Sequence, residues 1–351
     1  MTKRLVARLD NVGDVVLAGP AVRAVAGAGG PVVFLAGPRG ADAAALLPSV
    51  AEVLVFDAPW VAFDPSPVDA RAIRSLVDRL RRQAIDEAII LTSFHQSPLP
   101  LALLLRLAGI DRIAATSVDY PGSLLDIRHT YDESLHEVEQ SLSLCRAAGY
   151  ELPAGDDRRL ALDLPRARPR DRDRPYVVVH PGASVPARAL PVEPATRSVA
   201  ELAGAGYHVV ITGSANEIEL ARQVVSTTPS SDSTIRCGAT KLAELAMLIA
   251  RAQAVVCGNT SVAHIAAAVG TPVVEAFAPV VSAHRWRPWQ VPHVLLGVLD
   301  ISCAGCRARV CPVPDQPCLD PFTPQTVVDS VAQLSAAVGD ADATGRRGVF
   351  A

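Results

Sequence analysis

Ala254-Val255-Val256-Cys257-Gly258-Asn259-Thr260-Ser261-Val262-Ala263-His264 is a short apolar run that ends in a polar turn and opens an Ala-rich segment. The run up to Cys257 has the length and composition of a buried strand. After it, Val262, Ile265, Ala266 and Val269 keep helical spacing until Gly270-Thr271-Pro272 stops the helix. Asn259, Thr260 and Ser261 therefore fall where the first backbone N–H groups have no partner in the helix and the helix dipole is positive. A junction of this kind can be an ordinary capping turn, or it can hold phosphate. The rest of the chain decides between them.

Working outward, the same strand-then-helix unit recurs. Arg4 to Leu9 precedes a helix around Val15 to Ala26, and Val32 to Leu35 precedes Ala41 to Leu47. Val53 to Phe56 follows, then Glu87 to Thr92 and the helix Leu99 to Ala108. A second series of strands runs Tyr176 to His180, Tyr207 to Thr212, Thr234 to Cys237, Ala254 to Cys257, Val273 to Phe277 and Val294 to Leu296. Alternation of this kind implies an α/β fold with parallel sheets covered by helices on both faces. Between the series lies a charged, proline-punctuated stretch from Pro165 to Pro175 with no apolar face, which reads as a solvated interdomain linker. The expected organisation is two Rossmann-like domains, residues 1–168 and 169–338, with a disordered tail at 339–351. Sheets of this type place ligands at the carboxyl ends of their strands, here in a cleft between the domains.

At 351 residues, with half of them hydrophobic and a fifth charged, the chain is long enough for two domains with substantial cores. A net charge of -3 carries no signal for a polyanion, so no nucleic-acid partner is expected. Only Lys3 and Lys241 among the 33 basic residues are lysines, which points to no partner either. The N-terminus is too short and polar for a secretion signal, and no apolar run approaches the roughly 18 residues that span a bilayer. A cytoplasmic protein without a transmembrane segment is expected, with any membrane contact peripheral.

Four loops at strand ends carry the chemistry. Asp10-Asn11-Val12-Gly13-Asp14 joins the first strand to the first helix, and Asp14 can cap that helix or take a proton from a hydroxyl. In His180-Pro181-Gly182-Ala183-Ser184-Val185-Pro186-Ala187-Arg188, Gly182 lets backbone approach a ligand and Ser184 can donate to it. Arg188 suits phosphate oxygens, whereas His180 reads as a core residue. Thr212-Gly213-Ser214-Ala215-Asn216-Glu217 opens a helix, with Glu217 either a ribose acceptor or a first-turn acid that complements the helix dipole. The fourth is the Asn259 to His264 junction. Phosphate donors, a ribose acceptor and a carboxylate from the other domain together suit a nucleotide-sugar transferase.

These motifs resemble glycosyltransferase family 9, the ADP-heptose:lipopolysaccharide heptosyltransferase family, whose fold is the two-domain GT-B type. The resemblance runs from Val6-Ala7-Arg8-Leu9-Asp10-Asn11-Val12-Gly13-Asp14 to Cys318-Leu319, with the four loops in the family's order. It implies an inverting transferase with Asp14 as general base and no metal or other cofactor required for catalysis. Arg188, Asn259, Thr260, Ser261 and His264 would lie at the donor diphosphate, with Gly182, Ser184, Gly213, Ser214 and Glu217 completing the donor site around the nucleoside. Arg188-Ala189-Leu190-Pro191 replaces a common Lys-x-Trp-Pro, Asn259 stands where Asp is frequent, and Ser261 stands where Gly is common. The implied donor is a nucleotide-diphosphate sugar, ADP-linked in the family's best-known members, and the acceptor a glycan or glycosylated metabolite. His95 and Gln96 are candidate acceptor contacts.

Of seven cysteines, Cys303, Cys306, Cys311 and Cys318 are clustered closely enough for one metal to collect all four thiolates. Structural zinc, an iron–sulfur cluster, free thiols and disulfides all stay open on spacing alone. Similar cysteine-rich segments in relatives of the family favour a structural zinc staple. Two rival functions are a nucleotide-sugar epimerase of the same fold and a non-catalytic nucleotide- or metal-binding protein.

Overall fold

The first strand, Arg4–Arg8 (β1), is buried along its whole length, because parallel strands covered on both faces read as continuous apolar runs. In the computed structural model, residues 2–62, 65–93, 95–130, 132–165 and 175–344 are described, the last seven of them as backbone. The chain divides into two compact units, Met1–Asp163 and Leu164–Ala351. Most of the Pro165–Pro175 stretch, residues 166–174, lies outside the described residues.

The first unit continues with helices Val12–Leu17 (α1) and Gly19–Gly27 (α2), strand Val32–Ala36 (β2), helix Ala41–Ala44 (α3) and strand Val50–Val55 (β3). Then come Ala70–Gln83 (α4), Glu87–Ile90 (β4), Leu99–Leu107 (α5), Arg112–Thr116 (β5), Ile127–His129 (β6) and Glu137–Ala147 (α6). All pairs are parallel, in the order β3-β2-β1-β4-β5-β6, so the direction of winding reverses between β1 and β4. Leu5, Ala7, Val33, Leu35, Ala88 and Ile90 pack with Leu76, Leu80, Leu101 and Leu105 in one core cluster. Each of the leucine, isoleucine and valine side chains contributes roughly 1.5–3 kcal/mol by leaving water, the alanines less.

The helix expected from Val15 to Ala26 is two helices joined at Ala18. Pro20, in the first turn of α2, has no N–H to continue the α1 ladder. Helix α4 was not among the expected elements. Its start is fixed by Asp69, whose carboxylate accepts from the Arg71 N–H at 2.8 Å, and it buries Leu76, Val77 and Leu80 while its arginines face outward.

The second unit contains Tyr176–His180 (β7), Val192–Gly204 (α7), His208–Ile211 (β8), Ile218–Val224 (α8), Ser233–Ile235 (β9) and Leu242–Arg251 (α9). It continues with Val255–Gly258 (β10), Ser261–Val269 (α10), Val273–Ala276 (β11), Ala283–Trp286 (α11), His293–Leu295 (β12) and Pro324–Thr344 (α12). The strand order is β12-β11-β10-β7-β8-β9, again parallel, with the reversal between β10 and β7. Helix α12 carries on through residues 339–344, which had been expected to be disordered, because a continuous i, i+4 ladder needs no apolar periodicity at a helix end. Residues 345–351 of that tail lie outside the described residues. Among the described residues no helix is long and apolar enough to cross a membrane.

Candidate functional site

In the first unit the loops at the β1/β4 reversal gather around Arg8, the last residue of β1, which is 1% exposed. Its Nη1 donates to Glu137 Oε1 at 2.8 Å, and its Nη2 donates to Asp14 Oδ1 and to Ser93 Oγ, both at 3.1 Å. Arg8 Nε lies 2.6 Å from Asp10 Oδ2, an ion pair not aligned as a hydrogen bond. Asp10 is held from its other side by Gln96, whose amide donates to Oδ1, while Gln96 Oε1 accepts from the Ser93 N–H at 3.2 Å. Glu137 reaches the cluster because a capping box starts α6 at that residue. His136 Nδ1 accepts from the Val138 N–H at 3.2 Å and Glu139 Oε2 from the His136 N–H at 3.1 Å.

Burial tends to strip Arg8 of its proton, but Asp10, Glu137 and Asp14 outweigh it and push the guanidinium pKa up. Burial raises the Asp10 carboxyl, with Arg8 opposing and Asp14 reinforcing the shift, and it raises Glu137 in the same way. Asp14 is the most open of the three carboxylates, its side chain 17% exposed against 7% for Asp10 and 2% for Glu137. The sequence had marked Asp14 and Gln96 as separate candidates, and the structure joins them through Arg8, Asp10 and Ser93. Gln96 spends its side chain on orienting Asp10, and His95 beside it is exposed. Arg8, Asp10 and Glu137 were missed as site residues. An arginine closing the apolar run Leu5-Val6-Ala7 was the available signal.

In the second unit the β7/β10 reversal brings four loops together. A Cβ placed on Gly258 would lie 1.9 Å from the Arg188 carbonyl oxygen, so the short 3-10 turn Pro186–Arg188 rests directly on the residue preceding Asn259. Likewise a Cβ on Gly182 would lie 1.8 Å from Glu217 Oε1, which places Glu217 over the β7 loop. Glu217 Oε2 accepts from the Ser214 N–H at 2.6 Å and from Ser214 Oγ at 2.8 Å, closing a capping box. Gly213 lies beneath the same carboxylate. Gly182, Gly213, Ser214 and Glu217 are thus one group, Arg188, Gly258 and Asn259 another, and Ser184 is exposed.

Helix α10 begins with Thr260 at its N-cap, and no side chain caps it, so its first N–H groups stay available. Asn259 is committed elsewhere: its Nδ2 donates to the Ala278 carbonyl at 3.1 Å and its Oδ1 accepts from the Ala278 N–H at 2.8 Å. It positions the turn by tying it to the loop after β11. His264, in the second turn of α10, is buried, its pKa pushed down to about 4 by desolvation, and its Nδ1 has no hydrogen-bond partner. One register row across the sheet places His180 beside Cys257 and Cys257 beside Glu275. His180 Nδ1 and Thr212 Oγ1 are 3.0 Å apart, in keeping with a core role for His180. Burial holds the Glu275 carboxyl well above the usual carboxylate range, a feature that sequence reasoning did not single out.

The cysteine cluster differs from expectation. Cys303 and Cys306 are exposed, Cys311 is half-buried and Cys318 is buried. Among the described residues no group of three or more His, Cys, Asp or Glu side chains could hold a metal ion. Cys318 sits in the turn Pro317–Leu319 and packs into the apolar core with Leu319 and Phe322. Cys303 and Cys306 lie on an outward turn with Gly305 at φ 75. Burial, opposed by a Gln316 hydrogen bond and helped by Cys311 and Cys303, raises the Cys318 thiol. The four thiols therefore do not fit a tetrahedral zinc site in this arrangement.

A family model described as glycosyltransferase family 9 (heptosyltransferase) matches residues 73–316. Lipopolysaccharide heptosyltransferase 2 of Salmonella typhimurium is 30% identical over 112 residues, which are 30% of this chain and 32% of that protein. The chain thus spans about a third of that curated relative. The ADP-heptose LPS heptosyltransferase II structure from E. coli superposes with a TM-score of 0.74 at 20% identity, covering 97% of this chain and 100% of that one. A glycosyltransferase family 9 structure from Veillonella parvula gives 0.80 at 14% identity, covering 96% and 98%. With the family model matching well over half of the residues, this chain belongs to glycosyltransferase family 9, the heptosyltransferase family.

Proposed function

We propose that this chain is an inverting glycosyltransferase that moves a heptose or related sugar from a nucleotide-diphosphate donor, ADP-linked, to a hydroxyl of a glycan or glycosylated metabolite. The observation that carries this is the open carboxylate of Asp14, held by buried Arg8 at the carboxyl end of β1. In this scheme Asp14 takes the acceptor proton, the acceptor oxygen attacks the anomeric carbon, and the nucleoside diphosphate departs with inverted configuration at that carbon. The unpaired N–H groups and dipole at Thr260 and Ser261, with Arg188 and the unpartnered Nδ1 of His264, stabilise the departing charge without a metal. Glu217 contacts the donor nucleoside, Gly182, Ser184, Gly213 and Ser214 line the donor site around it, and Asn259 keeps the turn in place. His95 and Gln96 border the acceptor. The name of the E. coli relative supports ADP-heptose as donor, and those of the E. coli and Salmonella relatives support a lipopolysaccharide-type acceptor; a nucleotide-sugar donor would fit a reaction in the cytoplasm.

A thermal-shift titration against ADP, UDP and GDP and their sugars tests the donor, since a ligand that binds only the folded chain raises Tm with its occupancy. A preference for ADP and ADP-sugars is expected, and a preference for UDP or GDP would reassign the donor. Asp14→Ala should lower transfer by roughly 100-fold or more while leaving the ADP shift in place. Near-wild-type transfer would remove Asp14 from its role.

A further inference from the structure

Resting on the assignment of Asp14 as the base, we propose that Glu137 is a positioning residue that, through Arg8, sets the direction and charge environment of the Asp14 carboxylate. Glu137 lies 129 residues beyond Arg8, on another element, yet its Oε1 takes Arg8 Nη1 at 2.8 Å. A guanidinium is planar, so fixing Nη1 fixes where Nη2 points. Nη2 then meets Asp14 Oδ1 at 3.1 Å, with Ser93 Oγ at the same distance. This ties one oxygen of Asp14, and among the described residues its other oxygen has no further protein partner. The second oxygen is left for the acceptor hydroxyl.

Stability alone does not account for this arrangement. Arg8 and Glu137 side chains are 1% and 2% exposed. A buried ion pair is commonly matched or bettered in stability by apolar residues of similar size. Leu5, Val6 and Ala7 of β1 are apolar and fully buried, so an apolar pair at positions 8 and 137 together would extend the same core. Three carboxyl groups instead converge on one guanidinium. The groups that bear on Asp14 are Arg8 from β1, Asp10 from the following loop and Glu137 from α6. The β4–α5 loop adds Ser93, Gln96 and exposed His95, and the β2–α3 loop adds exposed Arg39. Helices α2 and α3, packed on α1, bring Arg23, which is paired with Asp156, and exposed Asp42. His136 and Glu139 are occupied by the capping box. Glu137 therefore shares with Asp10 the offsetting of Arg8 as Asp14 sees it, and it is the one of the two that also holds Arg8 Nη1.

The test is Glu137→Gln in the full chain, which keeps size and a hydrogen-bond acceptor but removes the charge. With Nη1 held by a neutral amide in place of a carboxylate, Nη2 should aim less closely at Asp14 Oδ1. Transfer kcat should fall about 10- to 100-fold, the loss typical of a displaced catalytic group or its support. Donor and acceptor KM should stay within about two-fold. The carbon-13 chemical shift of the Asp14 carboxyl at one fixed pH, assigned by its loss in Asp14→Asn, should change as its contact with Arg8 changes. Unchanged kcat with an unchanged carboxyl shift would overturn the proposal. Should Glu137→Gln fail to fold, Glu137→Asp carries the test: with its reach shortened it should lower kcat, and wild-type kcat would overturn the proposal. Transfer that survives Asp14→Asn would instead sink the base assignment, while the carboxyl shift in the Glu137 variants still reports whether the coupling exists.

Discussion

The two strand-order reversals, β1/β4 in the first unit and β7/β10 in the second, share a topology and differ in chemistry. At β1/β4 the functional groups are side-chain charges. A buried guanidinium holds Asp10, Asp14 and Glu137, and each partner depends on the others for its solvation. At β7/β10 the groups are mostly backbone. Gly258 lets the Arg188 turn sit on the start of α10, and the helix offers unpaired N–H groups and a dipole. A base must be one group at a definite charge, so it is built from ion pairs. An anion cradle works by many weak donors at once, so it is built from close backbone approach.

This contrast can be broken at several points. Arg8→Met should cost the most, about 3–5 kcal/mol, since removing one partner leaves buried carboxylates uncompensated. Urea denaturation of the full chain measures it, and a midpoint equal to wild type would mean that the cluster is not ionised. Gly258→Ala should follow at about 1–3 kcal/mol, with weaker ADP binding, because its Cβ meets backbone, which cannot swing away. Gly182→Ala sharpens the point: the atoms nearest its Cβ belong to the Glu217 side chain, which can turn aside at the cost of its Ser214 hydrogen bonds, so a loss of about 1 kcal/mol, smaller than at Gly258, is expected. Equal losses at the two glycines would say that the Arg188 turn is not rigid.

The pH dependence follows from His264, whose folded pKa is depressed from 6.5 to about 4. Its contribution is present above 6.5 and is lost as pH falls toward 4, where the unfolded chain binds a proton that the folded chain refuses. Tm should therefore decline over that interval, and His264→Asn should flatten the part of the decline due to this group. ADP should flatten the wild-type dependence if its phosphate oxygens accept from the imidazole, because an adjacent anion favours the protonated ring and lifts its folded pKa back toward 6.5. A slope unchanged by His264→Asn would place the titration elsewhere.

How far the sequence could be read followed the range of the interactions. Strands β7, β8, β10 and β11 were legible because each is a short, mostly apolar run bounded by glycine, proline or polar residues, a signal that is local. Helix α4 was not, since five arginines between Arg71 and Arg82 obscured the apolar positions Leu76, Val77 and Leu80. The loops of the second unit were legible as motifs, although Asn259 and Glu217 turned out to be tied to Ala278 and Ser214. The cysteine spacing suggested one metal, but Cys318 is drawn into the core by apolar packing that spacing does not encode.

By itself the sequence determined the alternation of strands and helices, the two-unit α/β plan, the strand-to-helix junction at Asn259–Ser261 and the acidic residue after the first strand. These depend on neighbours a few positions apart, through backbone hydrogen bonding and the burial of one face. Only the tertiary structure decided that Arg8 is the hub of the first site, that Glu137 arrives there from α6, and that Cys318 enters the core while Cys303 and Cys306 are exposed. Those outcomes depend on which distant residues share a desolvated volume, and the energy of a charge or thiol there is set by partners that the local sequence does not contain.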